Sequence, residues 1–159
     1  MLLTPHTFVG LVVAHFVGNP LLVAPVAFLS HFVCDKIPHW DFYSNTTNES
    51  GERTSGWRLF AFVADFGLAL SVGWFFIFRA LWLDQNIALG LSYLVGAIFA
   101  NLPDALEAPY IFHMKIHKKI KLLQIINEFQ KSHQTQAPVI IGVSLQLLLI
   151  GFCLFLLLS

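Results

Sequence analysis

APVIIGVSLQLLLIGFCLFLLL, residues 137–158, carries no charged side chain over a length that crosses a bilayer. A helix needs about 20 apolar residues for that, so this run sets the solvent in which the chain folds. Trp57 to Leu83 meets the same length. Thr4 to Val17, Leu21 to Ile37 and Ile87 to Leu102 are apolar but shorter; they span only with a thin local bilayer or protein cover, and the first hairpin is open to being re-entrant. The expected fold is all-α: one multi-span membrane helix bundle of about five apolar helices.

Composition agrees. Only 11% of the residues are charged and 57% are hydrophobic, whereas a soluble domain carries roughly 25% charged residues. Zero net charge gives no electrostatic basis for binding nucleic acid. Two cysteines, Cys34 and Cys153, in or beside apolar segments do not make a disulfide framework. No Lys or Arg precedes Lys36, so no basic region of a cleaved signal peptide is expected.

Local signals mark the helix ends. Thr4 is a plausible N-cap with Pro5 at the first helical position. Gly18-Asn19-Pro20 is a turn signal. Pro25 is expected to kink the second segment or delay its start, and Pro38 to stop it. Small residues four apart let membrane helices approach closely: Gly10, Ala14 and Gly18 in the first segment, Gly67 and Ser71 in the third, Ala88, Ser92, Gly96 and Ala100 in the fourth.

Two segments differ. Phe42 to Gly56 is mostly polar and reads as a loop. Residues 109–132 read as an amphipathic helix, with Phe112, Ile116, Ile120, Leu123 and Ile126 as its apolar stripe. Its lysines (Lys115, Lys118, Lys119, Lys121, Lys131) suit a cytoplasmic membrane surface and anionic lipid. If the first four apolar segments alternate, eight of the nine basic residues fall on one side. Basic loops face the cytoplasm, which predicts the N-terminus inside and the C-terminus outside.

The same topology gathers chemistry at the cytoplasmic face. His6 opens the first helix. His31 and Asp35, spaced i,i+4 on one helix face, close the second, and His39 and Asp41 follow. Asn101, Asp104 and Glu107 follow the fourth, and His113 and His117 repeat the i,i+4 spacing. Imidazole and carboxylate are the usual ligands of zinc and related divalent metals. Such an ion lowers the pKa of a bound water toward about 7, and a spare carboxylate serves as general base. His6, His31, Asp35, His39, Asp104, His113 and His117 are the candidate ligands. Asp41 and the intramembrane Asp65 are candidates for base or supporting carboxylate. A carboxylate at membrane depth is costly and usually faces the bundle interior or a cavity.

Pro5-His6-Thr7-Phe8-Val9-Gly10 at the start of an apolar helix, together with Leu102-Pro103-Asp104, resembles the bacterial LexA-binding, inner-membrane-associated metal-dependent hydrolases, a family compared with zinc-dependent phospholipase C. The resemblance covers the first hairpin and the end of the fourth segment, roughly a third of the chain. It implies a small multi-span protein of the bacterial inner membrane with His/Asp metal ligands at one face. It carries to His6, to Pro38 through Asp41 and to Asp104. The family ends its hairpin in Leu-Pro-Asp-x-Asp-His, where this chain has Ile37-Pro38-His39-Trp40-Asp41, and its His-Arg-Gly-x-Thr-His-Ser segment has no counterpart here.

The function expected from these readings is metal-dependent hydrolysis, zinc foremost, of a phosphoester or lipid-linked group at headgroup depth. The alternative is a non-enzymatic membrane protein whose basic surface helix binds anionic lipid or a protein partner. A homo-oligomer is compatible with both.

Overall fold

The computed structural model describes residues 1–42, 57–111 and 120–159. Among them are six helices and no strands: α1 (Leu3–Val17), α2 (Pro20–Cys34), α3 (Trp57–Phe78, running on through a π-helical turn at Arg79–Leu83), α4 (Ile87–Ile111), α5 (Lys121–His133) and α6 (Val139–Leu158). The protein is therefore all-α. Three stretches are long and apolar enough to cross a membrane: Phe60–Leu83, Ile87–Glu107 and Val139–Leu158. Large side chains on the outside of the bundle, such as Leu21, Phe60 and Ile140, are more than three-quarters exposed. Apolar surface on that scale matches lipid as the surrounding solvent.

α4 lies centrally, against α1, α2, α3 and α5. The small residues explain how closely α1 and α4 cross. A Cβ added at Gly10 would collide with the carbonyl of Gly96, and one added at Gly96 with the carbonyl of Gly10. Ser92 Oγ completes the seam by donating to Gly18 O at 2.7 Å. Gly67 behaves differently: it faces open space, and Ser71 bonds back to its own helix. Small spacing on α3 thus marks no packed seam.

Gly18 ends α1 in the left-handed region (φ 69°), where glycine carries no steric penalty. Asn19 then caps α2 by accepting from Leu21 N at 3.0 Å. Pro20 takes the first turn, and α2 passes through Pro25 without a delayed start. Pro25, inside the helix, leaves the Leu21 carbonyl without its intrahelical donor.

Three expected boundaries are corrected. α1 is capped not by Thr4 but by Asp65 of α3, which accepts from Leu3 N at 2.6 Å and Thr4 N at 3.3 Å. α4 does not end at Leu102; it continues through Pro103 to Ile111. Pro103 cannot donate to the Phe99 carbonyl, but packing on both flanks holds the helix together. The amphipathic helix expected over 109–132 is seen from Lys121, since residues 109–111 belong to α4 and 112–119 lie outside the described residues.

Candidate metal centre

One end of the bundle collects five of the candidate ligands from three helices and one loop. α1 brings His6, α2 brings His31 and Asp35, the segment after α2 brings His39, and α4 brings Asp104. Asp35 Oδ1 lies 3.2 Å from His6 Nε2, and Asp35 Oδ2 lies 3.3 Å from His31 Nε2. Asp104 faces the same two rings, 3.6 Å from His31 Nε2 and 4.0 Å from His6 Nε2. His39 Nε2 stands 4.0 Å from Asp35 Oδ1. The imidazoles of His6 and His31 stack with centroids 4.0 Å apart, which sets their Nε2 atoms side by side.

The far sides of the rings decide what the near sides are. His31 Nδ1 donates to the carbonyl of Ala100 at 2.8 Å, and His39 Nδ1 to that of Ile37 at 2.9 Å. With one ring proton committed there, each ring turns its Nε2 toward the carboxylates. An imidazole nitrogen and a carboxylate oxygen 3.3–3.6 Å apart need a proton or a metal cation between them. Gln130 Nε2 of α5 is 3.3 Å from both His31 Nε2 and Asp104 Oδ1, a long reach for a hydrogen bond. His6 Nε2, His39 Nε2, Asp35 Oδ2 and Asp104 Oδ2 are buried without a hydrogen-bond partner. Buried polar atoms are nearly always partnered, so four orphans in one cluster call for an explanation.

A divalent metal fits that requirement. Ligands about 2.0–2.1 Å from a tetrahedral zinc ion stand roughly 3.3 Å from each other, and the spacings here run from 3.2 to 4.0 Å. His6, His31 and Asp104 each offer an atom within 4.8 Å of the others. At His31 and His39 the Nδ1–carbonyl bonds supply the outer support that orients metal-binding histidines, whereas His6 Nδ1 is buried without a hydrogen-bond partner.

Electrostatics around the cluster are set by burial. Burial alone would raise the Asp35 carboxyl, but the Met1 amino group, 3.0 Å away, and the adjoining imidazoles of His31 and His6 outweigh it and hold Asp35 below the usual carboxylate range. Burial, reinforced by the same amino group, pushes His39 down and keeps it neutral.

Access is from the Asp104 side. His6, His31 and Asp35 are at most 1% exposed, whereas Asp104 keeps 14% of its side chain open. A cavity of about 60 Å³ adjoins it, lined among others by Asp41, Asp65, Glu107 and Gln134, with room for a few waters. The α5–α6 connection forms the roof: Thr135 N donates to Asp35 O, His39 N to Thr135 O, and Ala137 N to His39 O. Gln146 of α6 fastens the margin by donating to Trp40 O at 2.9 Å and accepting from Leu2 N at 3.0 Å.

Of the remaining candidates, Asp41 lines the cavity. Asp65 accepts from Leu3 N, Thr4 N and Thr4 Oγ1; of the roles expected of it, this geometry fits the supporting one, fixing the start of the helix that carries His6. His113 and His117 lie outside the described residues. Gln130 was not among the sequence candidates. Its only signal was a polar side chain seven residues after the buried Leu123, on the inward face with Asn127. His15, at the other end, pairs with Tyr93 OH at 2.9 Å.

No protein-family model, curated protein or solved structure matches this chain.

Proposed function

We propose that this chain is a metal-dependent hydrolase of the bacterial inner membrane, with its centre at the cytoplasmic face, its N-terminus inside and its C-terminus outside. The observation that carries the reading is the convergence of buried imidazole nitrogens and carboxylate oxygens. His31 Nε2, its ring proton committed to Ala100 O, faces Asp35 and Asp104 beside an unpartnered His6 Nε2. His6, His31 and Asp104 are the ligands, and Asp35 completes the set with His39 behind it. A bound divalent ion, zinc foremost, supplies Lewis acidity and brings the pKa of water near 7. The cavity beside Asp104 admits water and the substrate's scissile group. Asp41, on the cavity wall, takes the proton that the attacking water loses. Gln130 Nε2, poised between His31 and Asp104, supports these two ligands from outside. A phosphoester or lipid-linked group suits a centre at headgroup depth.

Elemental analysis of the purified protein tests this: one divalent ion per chain is expected, lost in the His6→Ala and Asp104→Ala variants. Wild-type protein without metal, and without stabilisation by added zinc, overturns it.

A second reading has one observation in its favour. Leu122, Ile125 and Phe129 form an exposed apolar stripe on α5, beside Lys121 and Lys131, as suits a helix lying on anionic lipid. On that reading the protein binds membrane or a partner without catalysis. Alanine at the His/Asp cluster would then leave cellular function intact, and neutralising the α5 lysines would abolish it.

A further inference from the structure

An apolar groove of about 610 Å³ runs along the bundle between α1, α3 and α4. Its volume lies in the range of ligand sites, roughly 300–1,000 Å³. It follows α3 from Phe62 to Ile77, about 22 Å at 1.5 Å per residue, which is most of the roughly 30 Å depth of a bilayer's hydrocarbon core. The rim is open to the side: Phe66 and Trp74 are about half exposed. Gly73 and Ala97, which adjoin one another where α3 meets α4, keep its floor low.

The two ends differ in chemistry. The deep end, at Trp74 and Ile77, is hydrocarbon. The other end reaches Thr7, Asn101 and Asp104, and shares Leu3, Phe62 and Asp104 with the polar cavity beside the metal centre. Asn101 Nδ2 donates to Thr7 Oγ1 and Ala97 O, both at 2.8 Å, while its Oδ1 is buried with no partner. A buried acceptor where an apolar channel meets a polar cavity matches a donor in a lipid's polar head, an ammonium N–H or a glycerol hydroxyl.

We propose that this groove holds one hydrocarbon chain of a membrane lipid, entered sideways from the bilayer, with the polar head delivered to the His/Asp cluster. The substrate class is thus an amphiphile, cleaved in its head region. This rests on the metal-centre reading for the cleavage, and on the groove alone for the binding.

The test is lipid retention. Protein reconstituted in bilayers of phosphatidylethanolamine and phosphatidylglycerol is extracted in mild detergent, and bound lipid and metal are counted by native mass spectrometry and elemental analysis. Wild type is expected to keep one lipid per chain. Gly73→Leu and Ala97→Leu, which fill the groove from its floor, one on α3 and one on α4, should keep at least about ten-fold less. Gly67→Leu, on the same helix but facing open space, should match wild type. Wild type without lipid, or folded Gly73→Leu retaining it fully, overturns the groove. Lipid following this pattern in protein without metal supports the groove and overturns the metal centre. Should neither filling variant fold, a phospholipid with a photoreactive chain end is crosslinked to wild type. Adducts concentrated at 73–77 and 94–98 support the groove, and adducts spread evenly over the outer helix faces overturn it.

Discussion

At His31 the two ring nitrogens have separate duties: Nδ1 is tied to Ala100 O, and Nε2 faces the carboxylates. Replacing the ring would remove a candidate ligand and leave Asp35 and Asp104 without the group between them. Changes in the outer support of a metal site cost about 10–100-fold in affinity. Gln130→Ala should fall in that range, and His31→Ala should exceed it. Competition with a chromogenic chelator measures both, and a folded His31→Ala protein with wild-type affinity would remove His31 from the centre. Asp65 calls for a different pair of variants. As a cap its two oxygens serve Leu3 N and Thr4 N, and losing a cap costs about 0.5–2 kcal/mol. Asp65→Ala should therefore lower the unfolding temperature, and Asp65→Asn, which keeps one of the two acceptor oxygens, should lower it less and keep activity. A folded but inactive Asp65→Asn protein would return the residue to proton transfer. Residue types and helix-end positions pointed to His6, Asp35, His39 and Asp104 in the sequence. The tautomer-fixing carbonyls did not show, because a backbone acceptor 69 positions away leaves no mark on side-chain identity.

The α1–α4 crossing fixes the geometry of the site, because α1 carries His6 and α4 carries Asp104. At Gly10 the added atom would meet backbone, not a side chain that can rotate aside. Gly10→Leu must force the helices apart, at the upper end of the 1–3 kcal/mol typical of overpacking or beyond. Metal affinity should fall with it, although position 10 touches no ligand. Thermal unfolding and metal titration of the same variant check the pair of effects, and an unchanged affinity would show that the centre does not depend on this seam. The spacing of small residues exposed Gly10, Ala14, Gly96 and Ala100 in advance, and the same rule misread Gly67 and Ser71. Such spacing records that a helix can be approached, not which neighbour arrives. Pro103 is the converse case. It reads as a stop because proline removes a donor and crowds the preceding turn, yet α4 runs on, held by α1 and α2 on either flank. Asp104 consequently points from a helix interior into the cluster, although the segment had been expected to end at Leu102.

For the molecule as a whole, the cluster joins α1, α2 and α4 at one end, with α5 and the α5–α6 connection as the roof. The distribution of Lys and Arg had sorted the candidate ligands to that end in the sequence. Which of them meet depended on the helix crossings, and these are tertiary. An ion bound there would bind the folded bundle and not the separated helices, so it would stabilise the fold by linkage. Free metal at about 100 times its Kd adds about 2.7 kcal/mol. A strong chelator should accordingly lower the unfolding temperature of the wild-type protein in detergent, and added zinc should restore it. The His31→Ala protein should start lower and respond to neither, because its carboxylates no longer close around an ion. If the cluster were held by protons instead, chelation would leave both proteins unmoved, and the two unfolding curves would differ only by the lost packing of the ring. The chelator response of wild type against variant therefore separates a metal centre from a buried ion-pair network without any knowledge of the substrate.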